Sequence, residues 1–536
     1  MATIFLYDTS LRDGSQGANI NFSVNDKINI VEKLDKIGIH FVEAGFAGSN
    51  KIDDQVFRQL STMDFQNSRI CAFGMTRRPL VEAKDDASIK ALIKSGSPVT
   101  TLVGKTWDRH VFNVLKTTLE ENVAMISDSI KYLKQMGKEV IFDAEHFFDG
   151  YKHNPDYAMI VLEAAQDAEA DWIVLCDTNG GILPHEMQSI LAEIKERISI
   201  RLGIHCHDDA GVAVANSLVA VASGATMVHG TINGMGERCG NANLTTIIAD
   251  LKLKMGCDDL ISDEQLKALK ETADYIREVA NLNEEPGQPY VGQSAFTHKG
   301  GMHSDAVLKD TESYEHVNPT LVGNERRISI SDLAGKAAIY EKAKEFGIDV
   351  GKDDENIMNI LTRIKVLQNE GFAFESADAS LELLMKSVIL DPMDPSKLKA
   401  KFFTLERFRV ITETDDDGIT PRSDATVKIK VNDKEFLTAA EGNGPVNALD
   451  NALRKSLEYF YPEVKETILS DYKVRITDQA GTGSKVRVII ATQDGEKIWT
   501  TVGASENILW ASWLALEDSI VYKLLKELER KGFSLS

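Results

Sequence analysis

At 536 residues, 43% apolar and 7% aromatic, the chain has the length of about three or four domains and the make-up of a soluble protein with real cores. Its formal net charge of -22 argues against a nucleic-acid or anionic-membrane partner, because both ask for clustered Lys and Arg. No basic stretch precedes the first apolar residues, and no apolar run is long enough to span a bilayer. The cysteines (Cys71, Cys176, Cys206, Cys239, Cys257) follow no disulfide or zinc-finger spacing, so reduced thiols in a cytoplasmic protein are expected.

Short apolar, β-prone runs predict strands at 4–7, 41–44, 69–73, 99–103, 140–144, 172–176, 200–204 and 227–231. Amphipathic stretches between and after them predict helices at 25–37, 54–61, 88–94, 119–136, 155–168, 184–196, 212–223 and 244–253. Strand and helix alternating in this way fit an α/β fold, a (β/α)8 TIM barrel, over residues 1–275. An open doubly wound sheet is the competitor, but no G-x-G-x-x-G follows the first strand.

Polar residues gather where these strands end: Asp8, Arg12 and Asp13; Glu43; Asp143, Glu145 and His146; Asp177, Thr178 and Asn179; His205 and His207; Asn233, Glu237, Arg238 and Asn241. Catalytic groups of barrels sit at the carboxyl ends of strands, and so many polar clusters at one end point to an enzyme. In Gly203-Ile-His-Cys-His-Asp-Asp209, alternation along an extended chain turns His205 and His207 to one side. Two imidazoles so placed can grip one divalent ion, and Asp208 and Asp209 could add oxygen atoms around it.

Residues 276–395 begin loop-rich, with Pro286, Pro289, Pro319 and the run His298-Lys-Gly-Gly-Met-His303, and return to helical character over 332–386. They read as linker subdomains. Asp391 to Ser396, with two prolines, marks a further linker. Residues 396–536 change pattern: strands are predicted at 408–411, 425–431, 472–476, 486–491 and 498–502, and helices at 446–459 and 505–528. This is a separate α+β domain with no nucleophile or metal cluster, suited to binding or assembly.

Several motifs in this order resemble the acyl-CoA-dependent Claisen synthases that include 2-isopropylmalate, homocitrate and citramalate synthases. They are Thr9-Ser-Leu-Arg-Asp-Gly-Ser-Gln16, with Ser10 where threonine is usual; His205-Cys-His-Asp-Asp209; Gly230-Thr-Ile-Asn-Gly-Met-Gly-Glu-Arg-Cys-Gly-Asn241; and Gly301-Met-His303 followed by Tyr314. Three further stretches resemble the long bacterial and archaeal citramalate-forming branch: Gly104 to Asp108, Asp143 to Tyr151, and Glu441 to Asp450. The resemblance implies condensation of pyruvate with acetyl-CoA on a route to isoleucine. The alternative is 2-oxoisovalerate as the acceptor, as in 2-isopropylmalate synthesis. It also implies a homodimer or larger, and a C-terminal regulatory domain that binds a branched-chain amino acid, isoleucine first among them.

The resemblance further implies a divalent metal (Mn, Mg or Zn) held by Asp13, His205 and His207, with Asn241 as a further ligand. Arg12 is expected at the substrate carboxylate or the developing alkoxide, and Thr178 at the substrate carboxylate. Glu145 and His303 share base and relay work on the acetyl-CoA methyl, with Tyr314 as a lesser partner; His303 and Tyr314 are expected to reach the partner subunit's barrel. Met75 and Val103, near the ends of strands three and four, are expected to wall the keto-acid side chain.

Overall fold

The computed structural model describes residues 3–299, 306, 307, 309–330, 334–351, 354–414, 421–477 and 481–532. They fall into two compact units, one holding residues up to Phe296 together with Val317–Arg326, the other holding the rest.

The first unit is a closed barrel of eight parallel strands: β1 Phe5–Asp8, β2 Phe41–Phe46, β3 Arg69–Met75, β4 Val99–Lys105, β5 Glu139–Glu145, β6 Trp172–Asp177, β7 Leu202–Cys206 and β8 Met227–Gly230. β8 closes on β1 with Tyr7 opposite His229. The expected α/β barrel is therefore present. Its helices follow from local sequence. In Val24–Lys36, Ser23 and Asp26 form a reciprocal capping box, and Ile30, Val31 and Leu34 are buried on one face. Each such fully buried side chain contributes roughly 1.5–3 kcal/mol.

Alternation along the strands sorts side chains into two layers. Outward residues such as Leu102, Phe142 and Leu175 join the core under the helices. Inward residues including Tyr7, Phe41, Cys71, Val99, Ile141, Trp172 and Val174 fill the lumen. Gly104 of β4 faces outward, since a Cβ there would meet Phe142 at 2.7 Å and Ile126 at 3.0 Å. Val103 and Lys105 on either side of it therefore face inward.

One strand sits later than the sequence suggests. β7 runs Leu202–Cys206 rather than 200–204, because the Gln166 side chain accepts the backbone N–H of Ser199 (2.8 Å) and of Ile200 (3.2 Å) and holds them out of the sheet. His205 consequently lies inside the strand.

The second unit carries a short parallel pair, β9 Thr297–His298 with β10 Arg327–Ile328, which the loop-rich sequence did not suggest. The helices Lys336–Glu345, Glu355–Asn369 and Asp378–Leu390 share a core of Ile339, Ile360, Ile364, Leu381 and Met385. Then a βββα arrangement occurs twice: β11 Thr404–Thr414, β12 Pro421–Val431, β13 Lys434–Gly442 and helix Pro445–Leu457; and β14 Ile468–Ile476, β15 Val486–Gln493, β16 Ile498–Ser505 and helix Ile508–Arg530. β13 was not expected. Its alternating side chains are mostly polar or small, but it is tied to β12 by a two-residue turn at Asn432 and Asp433, both with positive φ (48° and 64°), the hallmark of a type I′ hairpin.

Candidate active site

Asp13, His205 and His207 converge at the carboxyl end of the barrel. Their ligand atoms all lie within 4.8 Å of one another, and all three residues are buried. His205 Nε2 stands 3.4 Å from His207 Nε2, and Asp13 Oδ2 lies 3.4 Å from the former and 3.8 Å from the latter. Burial pushes the Asp13 carboxyl up, but Arg12, His205 and His207 outweigh it and hold it well below the usual carboxylate range. Burial, and then the neighbouring His205, push His207 down to about 4, so it is neutral at pH 7. An ionised carboxylate and a neutral imidazole are the forms a divalent cation takes as ligands.

Asn241 lies beside this group through an isolated bridge to His207. Its Nδ2 donates to the Met235 carbonyl at 3.0 Å, while its buried Oδ1 has no hydrogen-bond partner. A buried acceptor left open next to three convergent donor atoms fits a cation better than it fits a packed core. The loop after β8 needs its glycines for this: at Gly240 φ is +91°, and a Cβ would stand 2.0 Å from the Gly234 carbonyl oxygen. The same loop is tied to the one after β1 by Ser10, whose hydroxyl donates to Asp8 (2.8 Å) and accepts the Ile232 N–H (2.9 Å).

Arg12 is fixed on three sides. Its Nε donates to Glu43 at 2.6 Å, its Nη1 to Asp13 at 3.0 Å, and its guanidinium lies 4.0 Å from the centre of the Phe73 ring. Burial works against the charge, but Glu43 and Asp13 outweigh it and raise the guanidinium above its ordinary value. Glu43 itself is fully buried and accepts from Tyr7 Oη at 2.7 Å and from the Thr9 hydroxyl. Tyr7 stacks on His229 with ring centres 3.7 Å apart. Asp143, also inward, is buried with its Oδ1 unpartnered; burial, reinforced by Glu43, pushes its carboxyl up to about 7.

Met75, Val103 and Asp143 are register partners across β3, β4 and β5, so the two apolar candidates stand side by side at the barrel mouth. Met75 is 40% exposed. The Thr178 hydroxyl accepts the His146 N–H at 2.9 Å, and its carbonyl accepts from Arg238 at 2.8 Å. Glu145, at the end of β5, is not an isolated buried acid: it forms an ion pair with Lys105, and its side chain is 24% exposed. Tyr314 belongs to the second unit and is 48% exposed. His303 lies outside the described residues.

Two expectations from the local sequence change. Asp208 and Asp209 do not join the cluster. Asp208 Oδ1 accepts the Ala213 N–H at 2.8 Å, and Asp209 pairs with Arg238 through both oxygens, at 2.8 and 2.9 Å. Both carboxylates are engaged by these donors instead. Sequence reading also passed over Lys105, Tyr7 and His229. Parity along β4 and β1 was the signal, since Lys105 shares the inward face with Val103, and Tyr7 with Phe5.

Comparison with known proteins fits this geometry. HMGL-like proteins match residues 3–276, the homocitrate synthase post-HMGL domain matches 290–371, and the LeuA allosteric (dimerisation) domain matches 375–524. The (R)-citramalate synthase of Aquifex aeolicus is 52% identical over 528 residues, covering 98% of both chains. That of Geobacter sulfurreducens is 51% identical over 533 residues, covering 99% of both. The chain belongs to the (R)-citramalate synthase family. A 2-isopropylmalate synthase of Methanocaldococcus jannaschii is more distant, at 31% identity over 529 residues, 98% of this chain and 96% of its own. The resemblance drawn from the motifs is thus borne out.

Proposed function

We propose that the protein condenses acetyl-CoA with pyruvate to give (R)-citramalate and CoA, an acyl transfer in which the acyl group becomes alkyl, in isoleucine biosynthesis. The observation that carries this reading is near-full-length similarity to (R)-citramalate synthases at up to 52% identity, on a barrel whose mouth holds a buried Asp-His-His cluster.

Asp13, His205 and His207, with Asn241 beside them, would hold a divalent ion. Bound there, it would polarise the keto group of pyruvate and orient the substrate. The ligand set of one carboxylate and two imidazoles suits Zn, Mn or Mg alike. The chain's own residues do the rest. Arg12, locked by Glu43 and Asp13, presents a planar cation to the pyruvate carboxylate or to the oxyanion formed at its keto oxygen, and its fixed position means little reorganisation during reaction. Thr178 borders the carboxylate. Met75 and Val103 face the pyruvate methyl. Glu145 and His303 share base and relay work on the methyl proton of acetyl-CoA, with Tyr314 as a lesser partner.

The LeuA-type domain supports effector binding, and isoleucine is the effector we assign to it. A homodimer and a cytoplasmic location complete the reading; among the described residues no helix is long and apolar enough to cross a membrane. The deciding experiment compares CoA release with pyruvate, 2-oxoisovalerate and 2-oxoglutarate. Pyruvate is expected to give the highest kcat/KM. Preference for 2-oxoisovalerate would move the assignment to 2-isopropylmalate synthesis.

A further inference from the structure

We propose that Lys105 is a catalytic residue that binds the thioester oxygen of acetyl-CoA and stabilises the enolate formed when Glu145 removes the methyl proton. The inference rests on the condensation proposed above.

Lys105 and Glu145 are register partners at the last positions of β4 and β5. Both side chains face the lumen, as Gly104 turned outward against Phe142 requires. Their charged ends meet in an ion pair, with the side chains 15% and 24% exposed. The strand ends that carry them are held firmly. The Lys105 carbonyl accepts Asn122 Nδ2 at 2.8 Å, and the Thr106 N–H donates to the Glu145 carbonyl at 3.2 Å. The ammonium meets no other carboxylate among the described residues.

Taking two charges out of water offsets much of their mutual attraction in such a pair, so stability is a weak reason to keep it at a barrel mouth. Chemistry offers a stronger one. A thioester methyl is a weak carbon acid, and its enolate needs a donor at the oxygen where charge develops. Neighbouring strands run about 4.8 Å apart. A carboxylate on one strand can therefore reach the methyl hydrogens while an ammonium on the next reaches the carbonyl oxygen, two bonds away.

One Glu145 oxygen takes a methyl proton, the C–H pair becomes the C=C bond, and the carbonyl π pair moves to oxygen. Lys105 donates an N–H hydrogen bond to that oxygen and keeps its proton. The enolate carbon then bonds to C2 of pyruvate, restoring the thioester carbonyl, and the keto oxygen becomes an alkoxide that takes up, by way of water, the proton Glu145 removed, leaving Glu145 a carboxylate again. Water hydrolyses the thioester and CoA leaves as the thiol.

The test uses the full chain with metal supplied. Lys105→Gln is expected to lower kcat by about 100-fold or more, leave the KM for pyruvate nearly unchanged, and raise the deuterium isotope effect on kcat with methyl-deuterated acetyl-CoA. Ethylamine is expected to restore part of the activity of Lys105→Ala. Unchanged kcat in Lys105→Gln, or lost kcat with the wild-type isotope effect, overturns the proposal. If thermal melts show that Lys105→Gln does not fold, Lys105→Arg decides. It keeps the charge but not the shape of the ammonium, so a raised isotope effect is expected, and wild-type kcat and isotope effect overturn the proposal. A wild-type chain that releases no CoA from these substrates would instead defeat the functional reading itself.

Discussion

The barrel mouth and the C-terminal unit both bury charge, and they treat it in opposite ways. At the mouth, His205 Nδ1, His207 Nδ1, Asn241 Oδ1 and Asp143 Oδ1 are buried without hydrogen-bond partners. In the C-terminal unit, Lys523 is matched by Asp494 at 2.9 Å and Glu527 at 3.0 Å, and Glu382 by both Lys386 and Lys526. Even its carboxylates with a buried oxygen lacking a hydrogen bond, those of Asp450, Asp518 and Glu527, sit beside Arg454, Lys399 and Arg530. A polar group left open in the dark costs about 1–3 kcal/mol. The C-terminal unit pairs its charges; at the barrel mouth Arg12 is likewise paired, but the Asn241 and Asp143 oxygens stay open, as suits a site that a ligand completes.

The sharpest way to break that contrast is to remove the ligand set. Asp13→Ala or His207→Ala is expected to abolish turnover and leave the purified protein without stoichiometric metal, measured by kinetics and elemental analysis. Full turnover in either variant would sink the proposed site. Arg12→Lys comes next. It loses the fork that reaches Glu43 and Asp13 together, so kcat/KM is expected to fall by about 100-fold while the melting temperature moves little.

In the C-terminal unit the effect should appear in stability instead. Lys523 is only 6% exposed, and Lys523→Met leaves Asp494 and Glu527 short of a partner. A loss of about 3 kcal/mol is expected by denaturant unfolding, with kcat per folded molecule unchanged. A fall in kcat with no change in stability would reverse the proposed division of labour.

The smallest effect concerns pH. Asp143 is raised from 3.8 to about 7, so between those values the folded state binds the proton that the unfolded state has released. Its contribution to stability is present at low pH and is lost as pH rises through about 7, with a slope approaching 1.4 kcal/mol per pH unit, or about one proton. In the chelated protein, Asp143→Asn is expected to flatten the pH profile of unfolding over that window. A profile as steep as the wild type would show that Asp143 does not carry the slope.

Much of the first unit was legible beforehand. Eight apolar runs spaced by amphipathic stretches specify a barrel because each strand must bury both faces and each helix one. The polar residues after those runs marked the active end. Other features were not legible. Lys105 reads as a polar residue just past a short strand until β4 is seen to run to it. β13 was hidden by its polar composition, and β7 began late because Gln166, 33 residues upstream of Ser199, catches two backbone donors.

The chain's order of residues alone determined the family, the barrel, the separate C-terminal domain and the identity of Asp13, His205 and His207, because periodicity and motif spacing are local properties that survive without coordinates. Only the folded arrangement decided that Asp208 and Asp209 turn away, that Arg12 is clamped by Glu43 across 31 residues, and that Lys105 meets Glu145 across 40. Contacts of that kind depend on register and barrel closure, which no single segment encodes by itself.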